Sequence, residues 1–368
     1  MKVGMFRHNV VNRRSGRRAV RPRVLTLLTI LLLAACAAVG TEPLPGEPPH
    51  HVQGGFRNTN PEFRRPEGWT RTRFLLSRAW ANTFDSRSFE APRVANDGVA
   101  LRSGAGPGNP GPTITWVGHS TLVVQLEGVT LLTDPQWSER ASPLSWAGPR
   151  RLSPPGLAFE DLPPINLVLI SHDHYDHLDL DTVKRLAAAH DPLFVVPLGL
   201  KSWLAGQGVT RVQELDWWGS LEHQGVRVVC VPAQHFSQRS LWDANTRLWA
   251  SWAVIGASRR FYFGGDTGYF DGFRQAGERL GPFDLTALAI GAYRPAEIMR
   301  FTHTTPEEAV QAFEDLRGRI LLGIHWGTFD LSEEPLGEPP ERMLAETSRR
   351  GIPPERAWIL KIGETRHW

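Results

Sequence analysis

The chain has 368 residues, 41 lysines and arginines against 38 acids, 13 histidines and 2 cysteines. That length allows one large domain or two small ones, and two cysteines exclude a disulfide-stapled scaffold. The formal charge of +3 suits an acidic partner only if the cations are spread over the folded body, and they are not.

Residues 1–23 carry eight cations (Lys2, Arg7, Arg13, Arg14, Arg17, Arg18, Arg21, Arg23) and no acid, and the apolar run VLTLLTILLLAACAAVG follows. This order of basic, apolar and small residues predicts a secretory signal over 1–35. The apolar core is too short for a membrane span, and the alternative is a single N-terminal anchor helix. LAAC, Leu33 to Cys36, resembles a bacterial lipobox, in which the cysteine becomes the lipidated first residue. Ala37 does not resemble an inner-membrane retention signal. The expected product is an exported, membrane-anchored lipoprotein, on the periplasmic side of the outer membrane if the cell is Gram-negative. Without those eight cations the net charge falls from +3 to −5, so nucleic acid is not an expected partner. With Cys36 lipidated, only Cys230 remains, and its setting VRVVCVP reads as a buried small hydrophobe.

Residues 36–51 are Pro-rich and polar and are expected to form a semi-rigid tether. Residues 52–112 read as an N-terminal extension packing on the core. They are rich in arginine and aromatics and show little periodicity beyond a helix around TRFLLSRAWANTF. SGAGPGNPGPT (103–113) is a Gly/Pro boundary. From 113 to 368 short apolar runs alternate with helices, which predicts an α/β layered domain. TITWVGHSTLVVQL and VTLLTDP read as two strands joined at Glu127–Gly128. INLVLI, LFVVPL, VRVVCV, WAVIGA, RFYFGG, LTALAIG and RILLGI read as further strands. DLDTVKRLAAAH opens with aspartate caps and places Val183, Leu186 and Ala187 on one face. In TTPEEAVQAFEDLRG, Thr305 is the N-cap, Pro306 the first helical residue and Glu308 the partner of a capping box. Its apolar face is Ala309, Val310, Phe313 and Leu316.

Metal-type residues follow the strands. INLVLI runs into SHDHYDHLD with His172, His174, Asp176 and His177, VRVVCVPAQ into His235, RFYFGG into Asp266, and RILLGI into His325. Carboxyl ends of strands converge on one edge of an α/β core, so seven nitrogen and oxygen donors meet in one place. Imidazole and carboxylate without thiolate suit zinc, with iron or manganese as alternatives. Seven ligands exceed one tetrahedral ion and suit two. The expected split is His172, His174 and His235 on one ion and Asp176, His177 and His325 on the other. Asp266 would bridge them, leaving room for a shared water.

HDHYDH resembles the HxHxDH signature of the metallo-β-lactamase superfamily, and His235, Asp266 and His325 match its later metal positions in order. The resemblance covers about residues 50–368 and implies an αββα sandwich. TWVGHSTLVV with LLTDP, GDTGY, IGAYRP, HTTPEEAV, IHWGTF and the upstream HHVQGGFRN narrow it to the branch that hydrolyses N-acyl-phosphatidylethanolamine as a phospholipase D. The resemblance implies two zinc ions per chain that activate a bridging water for attack on a phosphodiester, and a phospholipid substrate reached at a membrane. β-Lactamases of the superfamily generally lack an aspartate like Asp266, which argues against that activity. His303 aligns with a substrate-side histidine that binds phosphate or protonates the leaving group, or it caps the turn. Asp176 and His303 are thus the expected catalytic residues, with Tyr293 and Trp326 as pocket walls. His119 and Asp134 are expected to orient ligand imidazoles, or His119 is a buried hydrogen-bonded histidine. A lactone or other ester as substrate, and a non-catalytic metal-stabilised lipoprotein, are the competing readings. A homodimer is left open.

Overall fold

Val123, Leu132, Val168 and Phe194 belong to one apolar cluster, and their strand neighbours Leu122, Val124, Leu131 and Leu169 to another. This is the two-residue period of strands buried on both faces. The computed structural model, which describes residues 39–66, 68–84, 87–104 and 111–368, arranges such strands in two seven-stranded sheets. The signal expected over 1–35 and Cys36 lie outside the described residues.

A short hairpin of β1 (His51–Val52) and β2 (Gly55–Phe56) precedes the sheets. The first sheet contains β3 (Thr113–Gly118), β4 (Thr121–Leu126), β5 (Val129–Thr133), β6 (Leu167–Leu169), β7 (Leu193–Pro197) and β8 (Val212–Leu215). The second contains β9 (Ser220–His223), β10 (Val226–Pro232), β11 (Ala250–Ile255), β12 (Arg260–Phe263), β13 (Leu285–Ala289), β14 (Ile320–Ile324) and β15 (Ala357–Trp358). The last strand, β16 (Thr365–His367), returns to the first sheet beside β3. Each sheet has an antiparallel half and a parallel half. The pairing becomes parallel from β5 to β8 in one and from β12 to β15 in the other.

Two helices, α1 (Gly68–Phe84) and α2 (Val99–Gly104), lie in the N-terminal extension. On the first sheet, α3 (Leu180–His190) and α4 (Leu200–Gly206) bury Val183, Leu186, Leu200 and Leu204 against Val168 and Phe194. On the second sheet lie α5 (Gly272–Leu280), α6 (Ala296–Met299), α7 (Pro306–Asp315) and α8 (Glu338–Arg349). There Ala309, Val310 and Phe313 join Leu285 and Leu321 in one core. Each such fully buried side chain contributes about 1.5–3 kcal/mol. The layers are therefore helix, sheet, sheet, helix. Trp252 ties the two sheets together, its indole N–H donating to the Ile170 carbonyl at 3.0 Å.

Both helix starts read from the sequence are present. The Asp179 side chain caps α3 by accepting from Thr182 N. At α7, Thr305 Oγ1 accepts from Glu308 N at 3.1 Å while Glu308 Oε2 accepts from Thr305 N at 2.8 Å.

Two expectations need correction. The run 113–126 is not one strand but β3 and β4, reversed at His119–Ser120, where Gly118 and His119 take φ of 132° and 52°. The turn lacks an Asn-Gly or Asp-Gly pair, so apolar residues on both sides masked it. The expected tether over 36–51 is docked where it is described. Pro43 bridges to Val52, and His50 is buried against Trp217 with ring centroids 4.2 Å apart. His50 and His51 both place Nε2 on the Asp216 carboxylate, at 2.6 and 2.8 Å.

Candidate metal centre

Six strands end on one rim, and each delivers a polar residue just past its carboxyl end. β3 leads to His119, β5 to Asp134, β6 to His172–His177, β10 to His235, β12 to Asp266 and β14 to His325. At three of them the chain bends through left-handed φ on a non-glycine residue: His119 at 52°, Asp134 at 33° and His325 at 61°. Such conformations cost on the order of 1–3 kcal/mol and gather where a site is held in place by its surroundings. Here His119 N donates to Thr328 Oγ1 at 2.7 Å and His325 N to the His119 carbonyl at 3.1 Å.

The side chains form two adjoining groups. His172, His174 and His235 make one, with His172 Nε2 at 2.8 Å and His235 Nε2 at 3.3 Å from His174 Nδ1. His119, Asp176, His177 and His325 make the other, with Asp176 Oδ2 at 3.0, 3.2 and 3.5 Å from the three Nε2 atoms in that order. Asp266 lies between the groups: its Oδ2 is 3.0 Å from His177 Nε2 and 3.9 Å from His235 Nε2, and its Oδ1 is 3.1 Å from His325 Nε2. The seven residues expected as ligands are thus brought together, and His119 stands beside them rather than behind them.

Neighbours set the ring orientations. His177 Nδ1 meets Asp134 Oδ2 at 2.7 Å, and Asp134 also accepts from Ser171 N and Oγ. His235 Nδ1 donates to the Thr302 carbonyl at 2.8 Å. Each bond commits Nδ1 and leaves Nε2 facing the cluster. Asp173, between His172 and His174, is buried and paired with Arg247 at 2.7 Å.

The electrostatics ask for cations. Burial works against a charged His177, yet the carboxylates of Asp266, Asp176 and Asp134 outweigh it and raise its pKa well above the usual value. His325 follows the same balance of burial against Asp266 and Asp176 and rises to about 9. Burial and crowding by neighbouring imidazoles push His172 and His235 well below the usual value, so they are neutral, the form that binds a metal. His177 Nε2, His325 Nε2 and Asp266 Oδ1 are buried and make no hydrogen bond. Each such atom costs about 1–3 kcal/mol, and a shared cation removes the cost. Ligand atoms roughly 2.1 Å from one tetrahedral ion stand about 3.4 Å apart, close to the separations within each group. The donor set fits divalent metal.

A profile of the beta-lactamase superfamily domain matches residues 130–326. The chain belongs to that superfamily. It is 48% identical over 243 residues to N-acyl-phosphatidylethanolamine-hydrolyzing phospholipase D 1 of Caenorhabditis elegans, covering 63% of this chain and 68% of the relative. It is 30% identical over 258 residues to a UPF0173 metal-dependent hydrolase of Methanopyrus kandleri, covering 68% of this chain and 98% of the relative. Among solved structures, the metallo hydrolase Igni18 of Ignicoccus hospitalis shares the fold at a TM-score of 0.54 and 20% identity, over 69% of this chain and 97% of that one. Across several curated relatives the chain spans 55–68% of their length. It is a metal-dependent hydrolase of the metallo-β-lactamase fold.

A cavity of about 320 Å³ rises from the superfamily's metal rim. His174, Asp176, Asp266 and His303 form its floor, and Phe63, Phe74, Leu75, Phe236, Met299 and Leu331 its walls. His303 Nδ1 is 3.8 Å from Asp266 Oδ2, and burial lowers its pKa to about 4. Tyr293 and Trp326 are not among the walls. The Tyr293 hydroxyl donates to Glu338 Oε1 at 2.8 Å, and Trp326 packs behind the cluster on Trp116, 5.3 Å between centroids. The walls Phe63 and Phe74, and Arg71 beside them, went unread because they lie in the extension. Beyond the helix read around TRFLLSRAWANTF, the signal there is arginine and aromatic content.

Proposed function

We propose that the chain is a dinuclear zinc phosphodiesterase. It would cleave N-acyl-phosphatidylethanolamine or related phospholipids to phosphatidic acid and an N-acylethanolamine. The observation that carries this reading is the cavity: apolar aromatic walls for acyl chains standing on a floor of metal-binding histidines and carboxylates. The similarity to the worm phospholipase D supports it. His172, His174 and His235 would hold one ion, Asp176, His177 and His325 the other, and Asp266 would join both. An imidazole-rich set of this kind favours zinc over manganese. When bound, two such ions supply Lewis acidity and an ionised water at neutral pH.

The chain's own residues do the rest. Arg65 and Arg71 line the cavity with the metal-binding floor and offer guanidinium groups to phosphate. Burial keeps His303 neutral, and its Nδ1 makes no hydrogen bond. It can take the proton released in attack and return it to the leaving oxygen. Aromatic walls exclude bulk water from the floor. Anchoring through a lipidated Cys36 belongs to the same proposal. Among the described residues no helix is long and apolar enough to cross a membrane.

In this scheme the five histidines of the ligand set are held by metal, His119 is held against Asp176 and His303 moves a proton, so none is assigned as a covalent nucleophile. Turnover of N-acyl-phosphatidylethanolamine in heavy-oxygen water should place the label in phosphatidic acid and not in the N-acylethanolamine. A modest excess of ethanol should give no phosphatidylethanol. Efficient alcohol capture would refute direct attack by water, and label in the released alcohol would show carbon–oxygen cleavage.

A further inference from the structure

Helix α1 presents two apolar faces. At about 100° per residue, Gly68, Arg71, Phe74 and Leu75 fall on one side and line the cavity. Trp69, Leu76 and Trp80 fall within about 40° of one another on a different side, and they are 75%, 64% and 66% exposed. The loop 238–245 does the same. It lines the cavity with Gln238, Ala244 and Asn245 and exposes Leu241 and Trp242. The two elements are joined, since Arg71 Nη2 donates to Gln238 Oε1 at 2.9 Å. The loop is in turn fixed to the metal-binding stretch, with Gln238 N donating to Asp173 Oδ1 at 2.9 Å.

Single exposed apolar side chains need no explanation. Among the described residues, however, six of the eleven large exposed ones (Trp69, Leu75, Leu76, Trp80, Leu241, Trp242) lie on these two cavity-lining elements. Charge follows the same pattern. Residues 57–78 carry six arginines against Glu62 and Glu67, on a chain that is net negative once residues 1–35 are set aside.

We propose that Trp69, Leu76 and Trp80 of α1, together with Leu241 and Trp242, form a docking face for an anionic bilayer surface. This face seats the mouth of the cavity on the lipid. Tryptophan and leucine enter the headgroup boundary, and flanking arginines meet lipid phosphates. Its choice of a lipid occupant rests on the phospholipid reading of the site. Arg73 is exposed and falls within about 60° of the apolar stripe on α1, and Arg64 and Arg65 are exposed just before the helix, so the face matches an anionic surface. The face acts independently of any anchor at Cys36.

The test uses the full-length chain carrying Cys36→Ser, whose remaining Cys230 is fully buried. Single cysteines replace Leu76, Leu241 or, as control, Glu222 on β9. Strand β10 carries its carboxyl end to the metal rim, so the β9–β10 hairpin lies away from it. Each cysteine takes an environment-sensitive fluorophore. Vesicles of phosphatidylethanolamine and phosphatidylglycerol carry a quencher on the acyl chain. The label should be quenched at 76 and 241 and unchanged at 222. Absence of quenching at 76 and 241, or equal quenching at 222, overturns the face. A blue shift that grows with protein concentration without vesicles, and that vesicles do not alter, would instead pair two copies and overturn the lipid assignment. Trp69→Ser/Leu76→Ser/Trp80→Ser should lower hydrolysis of vesicle lipid at least about tenfold while leaving bis(p-nitrophenyl) phosphate turnover unchanged. If the labelled Leu76→Cys and Leu241→Cys proteins are quenched yet the unlabelled Cys36→Ser chain hydrolyses no phospholipid, the face stands and the substrate reading fails.

Discussion

His172, His177 and His325 stand at the ends of hydrogen-bonded strands and cluster with His174, Asp176 and Asp266, which floor the cavity. Phe63, Phe74 and Leu75 reach it from a segment that belongs to neither sheet. The first set is buried and interlocked, and its carboxylates and imidazoles shift one another's pKa values. The second set hangs on a few polar links: Asn58 to the backbone of His235, Asn60 to Gln234, and Arg78 and Arg87 to Asp330. The floor of the site is therefore part of the sandwich, and part of its wall is an addition to it. Chemistry and substrate choice occupy pieces that mutation can separate.

Asp266→Ala strikes the floor and should have the largest effect. Its two oxygens lie near ligands of both groups. Metal content, measured by atomic emission, should fall from close to two ions per chain. Activity should fall by more than about 100-fold, beyond the 10–100-fold typical of groups that only orient ligands. A variant that keeps both ions and full turnover would remove Asp266 from its place between them.

That floor was legible in the sequence because its residue types recur at strand ends, where the fold itself collects them. The capped helix α7 was legible for a similar reason: Thr305, Pro306 and Glu308 act locally. Legibility failed where direction depends on backbone sign. Tyr293 follows Ala292, at φ 64°, and Trp326 follows His325, at φ 61°. A left-handed residue sends the next side chain away from where an extended chain would aim it, and both aromatics leave the cavity. His119, read as orienting a ligand or as a buried hydrogen-bonded histidine, sits at the same kind of turn and meets Asp176 directly. The wall residues of α1 were unreadable because their apolar faces are split between cavity and solvent. Residues 36–51 read as a tether by composition, and where they are described, contacts of His50 and His51 with Trp217 and Asp216, beside the Pro43–Val52 bridge, hold them down.

Removing metal sharpens the contrast on a smaller scale. In chelated protein the raised pKa of His325, about 9 against 6.5 unfolded, favours the folded state below pH 6.5. That contribution is lost as pH rises through 9. His303 and His119, lowered to about 4 and 3 with burial the largest cause, act the opposite way and penalise the folded state as pH falls below 6.5. Chelated protein should thus be most stable near pH 6.5. His325 alone would contribute on the order of 2–3 kcal/mol of loss toward pH 9.5, seen as a lower unfolding temperature. Metal-loaded protein should lack this alkaline loss, because the ligand imidazoles no longer bind the proton. An identical alkaline profile with and without metal would show that His325 is not a ligand.

The smallest expected effect belongs to the wall. Arg87 pairs with Asp330 and also donates to the Glu334 carbonyl at 2.6 Å, and its side chain is about one third exposed. Arg78 shares Asp330, so Arg87→Ala leaves that buried carboxylate with a partner. The cost is then that of a partly exposed pair, about 1 kcal/mol, rather than that of a stranded buried charge. A shift of that size moves the unfolding midpoint by about 2–4 °C. What it loosens is the attachment of the segment that carries Phe74 and Leu75 to the loop beyond β14. The Michaelis constant for a long-chain phospholipid should therefore rise a few-fold, while turnover of a small phosphodiester and the metal content stay at wild-type values. Loss of metal in Arg87→Ala would mean that wall and floor are one cooperative unit. The separation between chemistry and substrate choice drawn from the geometry would then fail.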